Sequence, residues 1–377
     1  MIKRGAVLES DAATAAKLLA EQLAMPRPAA VLFFCSSTYD PAVLSAALQE
    51  HFACPLIGAT SAGEIAARYQ TNGLVGVALP EELFRAEIRF IDNLAATDSA
   101  ALAQTVREMM GALSSRAFAP VSSTNTVGLL LIDGLARQEE RFVASVHDAL
   151  KGIALVGGSA GDNLQFEKTV VYADELYGTG AAAIALLHTS LACEVFQLKH
   201  FEPSETEMVI TKADPQTRTV FEIDGGPAAE QYAALLGLSA KELGPAVFSK
   251  HPVMLQIGDD WYVRSIAQMN SDASLQFFCA IEEGLPLTIG KSTAFVETLE
   301  QQVAALESRF DEIHLTIGCD CILRRLEIEQ KQLFGDVEAL LQRLRFLGFS
   351  TYGEQFNSIH VNQTLTGVTF GKRRNTL

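Results

Sequence analysis

Positive charge is what this chain has too little of: 29 lysines and arginines stand against 45 aspartates and glutamates, a formal charge of −16. Such an excess repels phosphate backbones and anionic lipid surfaces, and no basic arm, basic helix or zinc-finger spacing offsets it. Long apolar runs are also missing. The longest, Val31 to Phe34 and Gly180 to Leu187, have strand length and fall short of the eighteen residues a membrane span needs. The start, with Lys3 and Arg4, meets Glu9 and Asp11 before any signal-like stretch, so a cytoplasmic location is expected. Cysteine is sparse: six thiols in 377 residues do not make a disulfide framework. Cys319-Asp320-Cys321 places two thiols on one strand face, but no second pair completes a zinc set. The dinucleotide fingerprint G-x-G-x-x-G and the P-loop lysine are absent too.

What the chain does contain is apolar residues, 49% of the whole with only 20% charged, the balance of a well-buried folded protein. Its length predicts two domains. Three times an apolar run ends in a glycine turn closed by an acid: Leu56 to Glu64, Ala154 to Asp162 and Leu347 to Gln355. The first two align at a constant offset of 98 residues, laying Ser61-Ala62-Gly63-Glu64 over Ser159-Ala160-Gly161-Asp162. Around them the order is strand, helix, strand, which requires parallel pairing through a crossover helix. The fold class expected is therefore α/β, with duplicated strand–helix–strand units at about 30–90 and 127–187 in mixed or parallel sheets. A more β-rich part follows and ends in a further such unit. The boundary is expected near Thr189 to Leu191, giving domains 1–190 and 191–377, and the chain is expected to close on one strand, Ile359 to Phe370.

Candidate chemistry gathers at these turns. Gly157-Gly158-Ser159-Ala160-Gly161 matches the G-x-S-x-G hydrolase signature, but a nucleophile elbow needs a helix directly after the serine. Here Thr169-Val170-Val171-Tyr172 predicts a strand instead, so hydrolysis by Ser159 ranks third among the readings. Glu64, Asp162 and Glu354 would repel phosphate; they either cap backbone N–H groups or accept donors from a polar ligand. Among seven histidines, His360 is singled out. On one strand His360, Asn362 and Thr364 would share a face, and a buried face of that kind demands a partner or a ligand.

The motifs at 58–64, 157–163, Tyr352-Gly353-Glu354 and His360-Val361-Asn362-Gln363-Thr364, in this order, resemble the FIST sensory proteins over almost the whole chain. The resemblance implies an N-terminal FIST part to about residue 190, a C-terminal FIST part after it, and a sensory, non-enzymatic role. It further implies a haem-binding nitric-oxide sensor that controls a partner signalling protein, a histidine kinase or a cyclic-di-GMP enzyme. On that reading haem b is held noncovalently, since no C-x-x-C-H occurs. His360 ligates the iron, with Asn362, Tyr352 and Glu354 beside it, and His188, His200 and His314 are the next candidate ligands. The alternative is a receptor for a non-haem small ligand such as an amino acid, bound by Ser61, Glu64, Ser159 and Asp162. No kinase, cyclase or DNA-binding pattern is read in these residues, so the output is expected to pass through a separate protein.

Overall fold

The computed structural model describes residues 1–66 and 68–374. Three six-stranded sheets close around one shared apolar core, and each is built on the same plan. In every copy an outer strand is followed by a helix, a first central strand, a helical crossover (one helix in the first two copies, Ile322–Gln330 and Phe334–Arg343 in the third), a second central strand parallel to the first, a short hairpin and a return strand. In the first copy the central strands are Pro28–Ser36 and Leu56–Ser61, with Leu74–Pro80 returning beside Lys3–Val7. In the second they are Thr126–Ile132 and Ala154–Ser159, with Ala182–Thr189 returning beside Phe84–Ile91. In the third they are Phe310–Cys321 and Phe346–Thr351, with Leu365–Arg373 returning beside Ala192–Leu198. The strand Phe84–Ile91 thus belongs to the second sheet, although the sequence repeat placed it at the end of the first unit.

The central strands read as unbroken apolar runs because both faces are covered. Leu32, Phe34, Leu129, Leu131, Ile317 and Phe349 point into the common core, where Phe34 stacks on Phe349 at 4.2 Å. The alternate residues meet the helices: Val31 and Phe33 in the first copy, Leu130 and Ile132 in the second, Phe346 in the third.

The hairpins do not stay in their own sheets. Glu64–Ile65 pairs with Phe346–Thr351 of the third copy, Val171–Ala173 with Leu56–Ser61 of the first, and Glu354–Phe356 with Ala154–Ser159 of the second. This cyclic exchange brings the three glycine turns together at the carboxyl ends of the parallel strands. They bond across copies: Ala62 N–H to the Ser350 carbonyl at 2.9 Å, Tyr352 N–H to Ser159 at 3.2 Å, and Gly161 N–H to Thr60 at 3.1 Å.

The third copy is interrupted. Between Leu198 and the helix Phe295–Glu307 the chain makes a β-rich lobe, Phe201 to Ser292, with an eight-stranded sheet and its own core of Met208, Ile210, Tyr232, Phe248 and Leu287. The boundary expected near residue 190 falls between the second return strand and the third outer strand. The expected strand Ile359 to Phe370 is broken. Ile359–Val361 and Leu365–Arg373 are separate strands, parted at Gln363, whose φ is 52°. His360, Asn362 and Thr364 therefore do not line one strand face. Among the described residues no helix is long and apolar enough to cross a membrane.

Candidate functional site

Two of the three turn acids, Glu64 and Glu354, share one local construction. Ser61 Oγ donates to Glu64 at 2.6 Å, and the Gly73 N–H donates to its other oxygen at 3.0 Å. In the third copy Thr351 Oγ1 donates to Glu354 at 2.6 Å, while Thr364 gives its N–H at 3.1 Å and its hydroxyl at 2.8 Å. Each acid ties its turn to the start of the return strand. Burial pushes their pKa values up, to about 7 for Glu64 and about 8 for Glu354, against the pull of these donors. Asp162 caps a different loop: it accepts the backbone N–H groups of Phe166 at 2.9 Å, Glu167 at 2.7 Å and Lys168 at 2.9 Å. Asp162 also accepts the hydroxyl of Tyr352. Ser159 is wholly buried and its Oγ accepts from Gln355 Nε2 at 3.0 Å; no helix follows it.

His360 lies where three parts of the molecule meet. Its strand pairs with Glu354–Phe356, placing it opposite Gln355, whose Nε2 is 3.4 Å from His360 Nδ1. The ring packs against Gly353: a β-carbon there would come 2.3 Å from Cε1, 2.6 Å from Nε2 and 2.9 Å from the Asn362 Nδ2. Only glycine permits this approach. Burial holds the imidazole neutral, with a pKa near 4, the Glu140 carboxylate opposing and Arg218 and Arg264 reinforcing the fall. The lobe reaches this point through Ser265, whose N–H donates to Asn362 Oδ1 at 3.3 Å, and through Gln363 Nε2, which donates to the Ser249 carbonyl at 3.0 Å. The second copy reaches it through the first turn of the helix Glu139–Leu150. Arg218 of the lobe bonds Glu139 at 2.5 Å and Glu140 at 2.7 Å, and Glu140 accepts the Ala280 N–H at 2.5 Å.

Several buried polar atoms here have no hydrogen-bond partner within the protein: His360 Nε2, Asn362 Nδ2, Ser265 Oγ, Gln355 Oε1, and Arg264 Nε and Nη1. Beside them opens a cleft of about 440 Å³ lined by Gly134, Phe166, Arg218, Gln268, Phe278 and Tyr352 among others. Phe166, Phe278 and Tyr352 form a triangle of rings with centroids 5.0 to 6.0 Å apart. His360 packs behind this wall, against the residue next to Tyr352. A larger cleft of about 630 Å³ lies at the opposite end, where the parallel strands begin. Its Arg27 and Arg116 are solvated and already face Glu81 and Glu87, so it holds no comparable set of unsatisfied groups.

Of the residues expected from sequence, His360, Asn362, Tyr352 and Glu354 stand together, and Tyr352 brings in Asp162, as Gln355 brings in Ser159. Ser61 and Glu64 belong to the first turn and are engaged with each other. His188 is held between Thr126 Oγ1 at 2.9 Å and the Phe118 N–H at 3.1 Å. His200 receives Arg324 Nη1 at 2.8 Å, so it must donate from Nε2 to Glu327, also at 2.8 Å. His314 is 3.7 Å from Glu312 at the far end of its strand, part-exposed. A haem iron needs a histidine opening on an apolar slot. His360 has the buried, neutral imidazole, but its Nε2 abuts Gly353 and Asn362, no cleft able to take a porphyrin opens on it, and Arg218, Arg264 and Glu140 surround it. These residues do not fit a haem.

Arg218, Arg264, Ser265, Gln355 and Phe278 were not anticipated from sequence. One signal was present: in Trp261 to Ile266, Arg264 alternates with Tyr262 and Ile266, an ion in an apolar register.

Compared with curated protein sequences the chain finds no match. Against family models, residues 29–226 match the FIST N domain and residues 228–357 the FIST C domain. Together they cover nearly the whole molecule, and the chain belongs to the FIST family, whose domains are sensors of signal transduction that bind small ligands.

Proposed function

We propose that this protein is a non-enzymatic receptor for a small polar, non-haem ligand of about amino-acid size, bound where the second copy, the third copy and the lobe converge. The observation that carries it is the set of buried polar atoms left without partners around His360 and Asn362. Each such atom costs free energy in the protein alone, and their convergence behind one aromatic wall supports a shared occupant. A ligand bridging the lobe and the two copies favours one relative arrangement of them, because it binds that arrangement better. A separate signalling protein, such as a histidine kinase or a cyclic-di-GMP enzyme, would then read the lobe's position.

The test sets two chemistries side by side. Purified protein is titrated with individual L-amino acids, following its unfolding temperature, and separately with haem, following its absorption spectrum with and without nitric oxide. The expected result is stabilisation by at least one amino acid, lost in His360→Ala, with no stoichiometric Soret band. A Soret band that moves with nitric oxide and disappears in His360→Ala would overturn this reading in favour of haem sensing.

A further inference from the structure

The protein has three arginines buried to at least nine-tenths, and they differ in one respect. Arg218 is paired with Glu139 and Glu140, and Arg324 with Asp320 at 2.7 Å. Arg264 is 7% exposed, and among the described residues no carboxylate pairs with it. Its Nε and Nη1 have no partner within the protein. The polar group against it is the Cys279 thiol, whose pKa burial raises, so it supplies no negative charge. Arginine cannot escape by losing its proton, and a buried ion without a counter-ion is among the costliest features a fold can carry.

The other unsatisfied groups nearby are mainly donors. Ser265 Oγ follows Arg264 directly in the chain, and its backbone N–H already holds Asn362. Asn362 Nδ2 and His360 Nε2 converge within 3 Å of one point beside Gly353. We infer that Arg264 is the counter-ion of the ligand and that the site takes a small monocarboxylate, with Ser265, Asn362 and His360 supplying hydrogen bonds. Arg218 and Arg264 together balance Glu139 and Glu140, so the cluster tolerates one added negative charge far better than two, which favours a carboxylate over a phosphate dianion in a chain already at −16. This rests on the ligand-site reading above and adds the class of its occupant.

The experiment uses the full chain in buffer free of carboxylates, at constant ionic strength so that screening is equal throughout. Acetate, L-lactate and L-alanine are compared with acetamide, L-lactamide and L-alaninamide, isosteres lacking the negative charge, and with inorganic phosphate. At least one acid should raise the unfolding temperature, and at a hundred times its Kd should shift the unfolding equilibrium about a hundredfold. Its amide and phosphate should do neither. Arg264→Met should lose the response and, without ligand, be at least as stable as the parent, because an unpaired ion has been removed. Equal stabilisation by acids and amides, or by phosphate alone, overturns the carboxylate assignment and leaves the ligand site standing. No shift with any acid also overturns it. In that case Arg264→Met decides the wider reading, which falls too if the variant is less stable than the parent.

Discussion

At the scale of single residues, the exchange of a hydrogen for a methyl group separates site from scaffold. In Gly353→Ala the new β-carbon would overlap the His360 ring at 2.3 Å and the Asn362 amide at 2.9 Å, both wholly buried. A loss of about 1–3 kcal/mol is expected from such overpacking, read as a lower urea midpoint at unchanged slope. Gly335→Ala, in the first turn of the helix Phe334–Arg343, meets nothing within 4 Å and should instead stabilise by about 0.4–1 kcal/mol. Glu354 gives a second test. Its folded pKa of about 8 lies above the ordinary 4.5, so between those values the native state binds the proton more tightly than the unfolded chain. Stability from this group is full below pH 4.5 and is lost as pH rises through 8, with a slope of at most about 1.4 kcal/mol per pH unit. His360 and His200 act in the opposite sense. Their folded values near 4 lie below 6.5, so they remove stability as pH falls from 6.5 towards 4. Above pH 6.5 the histidine effect fades and the carboxyl effect dominates. Glu354→Gln, which can donate to Thr351 and accept from Thr364, should flatten the decline between pH 6.5 and 8 in urea titrations. An unchanged decline would assign it to other groups, Glu64 first.

At the scale of elements, one ion-paired clamp fixes the lobe to the barrel of sheets. Glu139 and Glu140 occupy the first turn of their helix, where the helix dipole favours acids, and both converge on Arg218. Burial pushes Glu139 up to about 7, a guanidinium notwithstanding. Arg218→Gln should cost about 3–5 kcal/mol, because it leaves buried carboxylates without their cation. Adding Glu139→Gln should recover part of that loss, and a double-mutant cycle from denaturant midpoints measures how much. The same scale shows what could be read from sequence. The glycine turns, the crossover helices and the Asp40-Pro41 helix start, whose carboxylate accepts from Ala42 and Val43 at 2.9 and 3.0 Å, are local features with local signatures. His360 and Asn362 were legible as polar residues in an apolar setting. Which sheet each hairpin joins was not legible. Glu64–Ile65 and Glu354–Phe356 are only two and three residues long, and their partners lie nearly 300 and 200 positions away. Nothing in a strand's own pattern names its neighbour. The break at Gln363 was hidden for a related reason: its left-handed backbone is set by Thr364 binding Glu354 and by Gln363 binding Ser249, both tertiary contacts.

At the scale of the molecule, the lobe is an insertion whose ends meet, which makes it separable from the threefold core. Phe201 pairs with Ser292, and the Thr293 N–H donates to the His200 carbonyl at 2.9 Å, so the two chain ends stand about 5 Å apart. The lobe's main apolar core has no residue in common with the clusters inside and around the three sheets. Its attachment near the site joins polar bonds, Arg218 to the two glutamates, Ala280 to Glu140, Ser265 to Asn362 and Gln363 to Ser249, to an aromatic contact of Phe278 on Phe166 and Tyr352. Replacing residues 202–291 by a short glycine–serine loop should therefore leave a core that unfolds in one cooperative transition. Glu139→Gln and Glu140→Gln belong in the same variant, since both carboxylates lose Arg218. The cyclic exchange of hairpins requires that single transition, because no copy can leave without stripping a strand from its neighbour. The excised protein should also lose every ligand-induced shift of the unfolding temperature, since Arg264 and Ser265 go with the lobe. Circular dichroism and urea titration, with and without ligand, check both halves. A broad or absent transition would mean that the sheets depend on the lobe, and a surviving ligand shift would move the binding site into the turns themselves.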